Sequence, residues 1–203
     1  MTFSLNEVEA QARKATRGVG YSFGMADDAG WAVRWLCAKG LDGVGALAQL
    51  LRAVLANEGA PKLHSGDWCL EKGTLCPLYV GVSLADSASA GASDTRQWQA
   101  VQSAELLLPF VAAYAAKHGT TVAMTSHARR AVTDGASLCV ERQSEHAVAP
   151  VTVTLGGQMS TCQSPVSRVQ PSGADWSLLQ TCAARTYAPA TEASRLKGAG
   201  AEG

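Results

Sequence analysis

Neither sign of charge dominates this sequence. Its 203 residues carry 17 Lys and Arg against 17 Asp and Glu, a formal net charge of zero. Neutralising nucleic-acid phosphates takes a basic surplus, so no nucleic-acid partner is expected, and only a local basic patch stays open. Long apolar runs are missing too. The longest apolar-rich stretch, Leu106 to Ala116, is interrupted by Pro109 and falls short of a membrane span. The opening MTFSLNEVEAQARKATRG holds acidic residues and no continuous apolar core of the kind an export signal needs. None of the six cysteines (Cys37, Cys69, Cys76, Cys139, Cys162, Cys182) forms a CxxC pair. These absences give a cytoplasmic protein with no membrane partner, whose cysteines default to free thiols. No repeat and no long low-complexity segment is visible.

What is present is enough apolar matter, 47% of residues, to bury a core without staples. The length suits a single domain over residues 1–203, with a helical segment over 1–57 and a mixed strand and helix body with a C-terminal tail over 58–203. Ser4 with Glu7 reads as a capping box, and Leu5, Val8, Ala12 and Ala15 then recur on one helical face. Ser22 caps a second helix, with Asp27 and Asp28 placed in its first turn where the helix dipole favours negative charge. Asp42 caps a third, whose apolar face is Val44, Leu47, Leu51, Val54 and Leu55.

After Asn57 the pattern changes. NEGAPKLHSGD reads as loop. Leu75 to Leu84, LCPLYVGVSL, reads as a strand with Pro77 near its start, and Asp86 to Asp94 as a surface connection. Glu105 to His118 returns to helix, with Pro109 in the first turn and Gly119 at the end. Strands follow at Thr120 to Thr125, Ala128 to Val132 and Ser137 to Glu141, with Asp134-Gly135 as a hairpin turn. Val151 to Leu155 is a strong β run turned by Gly156-Gly157, and Met159 to Val169 is weakly β. Ser172 and Asp175 cap a closing helix from about Ala174 to Thr186. Strands do not alternate regularly with helices. The fold class expected is therefore α+β, a mainly antiparallel sheet with helices on one face and a docked tail.

Several groups invite a chemical reading. His64, Cys69 and Cys76 offer soft zinc ligands, but their spacing matches no standard site and no fourth ligand is near, so no metal is expected. Cys76 beside Pro77 is a nucleophile only if His64, His118, His127 or His146 meets it in the fold; small buried hydrophobe is the plainer reading. Asp86 lies just beyond the expected strand end, where it either works chemically or starts the next turn. The second and third helices have the order of a helix-turn-helix, but the third carries only Arg52 as a base, too little for a groove. The tail ARTYAPATEASRLKGAG sets Arg185, Tyr187, Ser194 and Arg195 beside Gly198 and Gly200. Guanidinium forks bind carboxylate or phosphate bidentately, and glycines let backbone N–H groups approach an anion. The bland alternative is a plain terminal tail.

Four blocks, SLNEVEAQARKATRGVGYSFGMADDAGWAVRWLCAKGLDG, LCPLYVGVSLAD, ELLLPFVAAYA and ARTYAPATEASRLKGAGA, together resemble a bacterial family catalogued as a domain of unknown function, number 3726. The resemblance supplies no reaction, cofactor or catalytic residue. It places motif positions at Arg34, Cys76, Gly81, Asp86, Arg185, Tyr187, Ser194, Arg195, Gly198 and Gly200, and so implies that the tail belongs to the domain. Family members run on past the Gly-Ala-Gly-Ala with further glycine and Asn/Asp residues, whereas this sequence stops at Glu202-Gly203.

Two functions stay open. In the first, an enzyme or binding protein holds a small anionic metabolite with Arg34, Arg185 and Arg195, while Asp86, Tyr187 or Ser194 orients it or moves a proton. In the second, an accessory protein docks on a partner enzyme through the tail or through the helices bearing Trp31 and Trp35. The cofactor is unknown in either.

Overall fold

The computed structural model describes residues 1–64, 67–70, 73–87, 95–127, 129–141 and 148–187. Its elements begin with β1 (Phe3–Ser4), α1 (Leu5–Gly18), α2 (Phe23–Ala38) and α3 (Gly43–Ala56). Each of these helices starts at the residue able to cap it. Ser4 accepts from the Glu7 backbone N–H while the Glu7 carboxylate accepts from Ser4, a complete capping box. Ser22 and Asp42 cap α2 and α3 through the N–H groups of Met25 and Gly45. Asp27 and Asp28 are corrected by one turn. The first turn of α2 holds no acid, and Asp27 instead meets Arg13 of α1 at 3.6 Å.

The segment read as loop after Asn57 contains a short hairpin of β2 (Lys62–His64) and β3 (Asp67–Cys69), with Leu63 opposite Trp68. The LCPLYVGVSL stretch is a helix, not a strand: α4 runs Pro77–Ser87. Pro77 opens it, where a missing N–H is harmless, and the Val80 N–H closes onto the Cys76 carbonyl at 3.1 Å. Leu78, Gly81 and Leu84 are buried at helical spacing. A Cβ on Gly81 would sit 2.3 Å from the Phe110 ring, so glycine is what lets α4 lie against the next helix. A strand the sequence reading omitted follows, β4 (Thr95–Gln102), then a single 3-10 turn (Ala104–Leu107) and α5 (Leu108–His118), ended by Gly119 at φ 61°.

The remaining elements are β5 (Val122–Ser126), β6 (Arg129–Thr133), β7 (Leu138–Val140), β8 (Val148–Leu155), β9 (Arg168–Val169) and α6 (Gly173–Ala184). The weakly β stretch from Met159 yields β9, which pairs with β1, and an isolated bridge from Cys162 to Cys139. Among the described residues the main sheet is antiparallel, in the order β4-β8-β5-β6-β7. Pro150 lies inside β8, a central strand, and cannot donate to a ladder. On the β4 side the register shifts between Trp98 and Val101, which leaves two residues opposite the proline. On the β5 side pairing reaches Val151, opposite Ser126.

Alternation then sorts the side chains. Val122, Met124 and Ser126 of β5 are buried, as are Arg129, Ala131 and Thr133 of β6 and Val151 and Val153 of β8. α5 packs against β5 and β6 on this inner face. The buried apolar residues of helices and sheet form one continuous cluster, an α+β arrangement. Cys139 of β7 and Cys162 are joined as a disulfide at a Cα–Cα separation of 4.0 Å; the expectation of free thiols holds for Cys37, Cys69, Cys76 and Cys182 only.

Candidate functional site: a cleft with a buried guanidinium

On the inner face of the sheet the rank of side chains runs from apolar to polar toward the β5–β6 turn. Met124 pairs with Ala131, and the next inward pair is Ser126 with Arg129. These two open a cleft of about 500 Å³ whose other walls come from α3, the 3-10 turn and the start of α6. A cleft of this size suits a small ligand.

Arg129 faces inward because it is in phase with Ala131 and Thr133 on β6. Only 7% of its side chain is exposed. Its Nη1 forms an ion pair with Glu105 of the 3-10 turn, and its Nε makes no hydrogen bond among the described residues. Buried polar groups are nearly always bonded, so this guanidinium is a candidate for a ligand. Glu105 follows Ser103, a buried residue at φ 46° and ψ 57°. A side chain in that left-handed region costs about 1–2 kcal/mol, and such strain concentrates at functional sites. The Ser103 hydroxyl donates to Oε1 of Gln49 on α3 at 2.9 Å, which ties the strained turn to the opposite wall.

Nearer the mouth, Arg52 of α3 donates to Asp175 of α6 at 2.6 Å. Asp175 also accepts from the Ser172 hydroxyl at the α6 cap. Asp42, the cap of α3, lines the same cleft, and Leu41, Ala46, Ala104 and Met124 supply its apolar surface.

Those residues singled out from the sequence that the structure describes lie elsewhere. Arg34 is on α2, bonded to Glu9 at 3.1 Å and to Asn6, with 39% of its side chain exposed. Arg185 follows α6 and is exposed, its Cβ beside Gly18 at the far end of α1. Glu9 and Gly18 are nine residues apart, so Arg34 and Arg185 are separated along α1 by about 13 Å and do not share a cavity. Asp86 is exposed near the end of α4. Its negative charge is felt at Asp28, whose carboxyl is raised first by burial and then by Asp27 and Asp86. Tyr187 is 65% exposed. Ser194, Arg195, Gly198 and Gly200 lie outside the described residues.

Cys76 is fully buried, with its sulfur 3.2 Å from the Tyr21 hydroxyl. Burial pushes its thiol up from the ordinary cysteine value, the reverse of what a nucleophile needs. Among the described residues no group of three or more His, Cys, Asp or Glu is placed to hold a metal ion; the side chain of His64 and the whole of His146 lie outside them. No helix of the described residues is long and apolar enough to cross a membrane.

The residues that sequence reasoning missed are Arg129, Glu105, Ser103 and Gln49. One signal was available. In RRAVT, parity with Ala131 and Thr133 puts Arg129 on the inward phase.

Residues 3–100 match the model of a family described as a protein of unknown function, DUF3726. The DUF3726 match takes in α1 to α4 and most of β4, and with them Gln49 and Arg52 on one wall of the cleft. Glu105, Ser126, Arg129 and Asp175 on the other walls lie beyond the DUF3726 match. No curated protein and no solved structure matches the chain.

Proposed function

We propose that the cleft binds a small metabolite bearing a carboxylate or phosphate, anchored on Arg129. The observation that carries this reading is a guanidinium with 7% of its side chain exposed, on a residue that lines a cleft, whose Nε makes no hydrogen bond among the described residues. Guanidinium groups recognise planar anions through paired N–H donors. The reading keeps the arginine-lined pocket expected from the sequence and changes the arginines: Arg129, with Arg52 at the mouth, in place of Arg34 and Arg185, while Arg195 lies outside the described residues. Whether the bound molecule is then transformed depends on its own chemistry. The setting, a bacterial cytoplasm, rests on the sequence alone.

A panel of carboxylates and phosphates, read by thermal unfolding, tests it. A ligand held only by the folded state raises stability by about 2.7 kcal/mol at a hundredfold excess over Kd. At least one compound should raise the Tm of the wild-type chain and fail to raise that of Arg129→Ala. A panel without any shift, or a shift that Arg129→Ala retains, overturns the reading.

A second reading, docking on a partner protein, would use Leu63, 60% exposed on the β2–β3 hairpin, or Phe23, 73% exposed beside the Arg17 guanidinium. Trp31 and Trp35 are better explained by the chain itself, edge-on to Phe110 and beneath Lys39 respectively. Stoichiometric capture of a partner, lost on Phe23→Ser, supports this reading; monodisperse monomer with no capture counts against it.

A further inference from the structure

The charge lining the cleft is not what a plain anion requires. Among the described residues two cations, Arg52 and Arg129, stand against three carboxylates, Asp42, Glu105 and Asp175. Asp42 is engaged at the α3 cap, and Asp175 is bonded to Arg52. That leaves the Arg129–Glu105 pair as the charged feature deep in the cleft. A ligand carrying only negative charge would have to compete with Glu105 for the guanidinium, then sit beside the carboxylate it displaced. Like charges held a few ångströms apart in a partly desolvated cleft repel strongly. Glu105 keeps 25% of its side chain exposed, so a ligand can reach it.

We infer that the ligand is a zwitterion of the α-amino-acid class, its carboxylate on the Arg129 guanidinium and its ammonium on the Glu105 carboxylate. This deepens the anion-cleft reading and rests on it. Arg129 and Glu105 form an ion pair in the cleft, and a ligand that carries both charged groups on one carbon can meet both halves of that pair at once. No buried charge is left unpaired in the bound state. The hydroxyl of Ser126 stands beside Arg129 in the cross-strand pair. Leu41, Ala46, Ala104 and Met124 form the apolar part of the lining, which fits an amino acid with an uncharged side chain.

The test uses probes that share a skeleton and differ in one group. For each uncharged L-amino acid, titration calorimetry compares the amino acid, the 2-hydroxy acid, the carboxylic acid lacking the 2-substituent, and the amine lacking the carboxylate. On the wild-type chain the best amino acid should bind about tenfold or more tighter than its 2-hydroxy acid, the size of one charge-assisted hydrogen bond, and the amine should not bind. Glu105→Gln should bring amino acid and 2-hydroxy acid within about twofold of each other, the charge that separates them being gone. Equal affinity for amino acid and hydroxy acid on the wild type overturns the zwitterion and leaves the anion cleft standing. Wild-type chain that binds none of the probes, nor any phosphate, overturns both. The wild-type ratio decides the matter without a variant, so a poorly folding Glu105→Gln does not blunt the test.

Discussion

Arg129 and Arg130 are neighbours on one strand, and each meets a glutamate, but they stand on opposite faces of the sheet. Arg130 points outward to Glu141 at 2.7 Å, with both side chains about 40% exposed (39% and 40%). Arg129 points inward to Glu105, with 7% and 25% exposed. Arg34 with Glu9, on the helical side, resembles the outer pair, at 39% each. The chemistry is the same in all three, and the surroundings differ. In water an ion pair exchanges one set of good partners for another and contributes little. Inside, a charge that loses its partner has nothing to replace it. A shift of one residue along a strand therefore separates a solvated charge from one able to hold a ligand.

The comparison can be broken most directly by truncation. Arg129→Ala should cost roughly 3 kcal/mol, because a buried ion pair is broken; the urea midpoint should fall with an unchanged slope. If Arg129→Ala behaves like a surface change, the inner pair is not special. Replacing both members with apolar residues, Arg129→Met with Glu105→Leu, should restore much of that loss, since no orphaned charge remains. A double variant less stable than the sum of its parts would contradict this. Arg130→Ala and Arg34→Ala should each cost less than about 0.5 kcal/mol. Raising salt toward about 1 M, where the screening length is only about 3 Å, should erase the coupling of the outer pairs in double-mutant cycles and leave most of the inner one.

The smallest effect is expected at the α1 cap. The Glu7 carboxyl is held below its ordinary value of 4.5, first by the Ser4 backbone N–H and then by the Ser4 hydroxyl. A carboxyl lowered in the folded chain contributes stability that is complete above its unfolded pKa and is lost as pH falls through the folded value. The stability difference between wild type and Glu7→Gln should therefore be constant near neutrality and shrink on acidification below about pH 4.5. A difference independent of pH would show that the cap acts without its charge.

Much of the helical half was legible because its signals are local. Ser4, Ser22, Asp42 and Ser172 each sit one residue before a helix and bond back to it within three residues. The α4 segment misled because its Tyr79, Val80 and Val82 favour a strand and a short apolar run has no period of its own. It is packed on several sides, and tertiary contact with Phe110 decides the matter. β4 was overlooked because Thr95–Gln102 is mostly polar and alternates only between exposed and half-buried until Val101. The site was the least legible part. Glu105, Ser126, Arg129 and Asp175 come from a turn, two strands and a helix, and a charged residue at a strand end reads as surface until the partner strands are known. Arg185 stands in a polar cluster in the sequence, but clustering says nothing about burial, and it is exposed.

Pro150 has a reach beyond its own strand. A strand slipped by one position would ask an imide nitrogen for a hydrogen it does not possess, and would move the extra β4 residues away from the one place that tolerates them. The proline thus acts as a key that admits a single alignment of β8. Val151 stays level with Trp98 on one side and Ser126 on the other. Through that rung, a residue that touches no ligand keeps the arginine one strand further along aimed at the hollow.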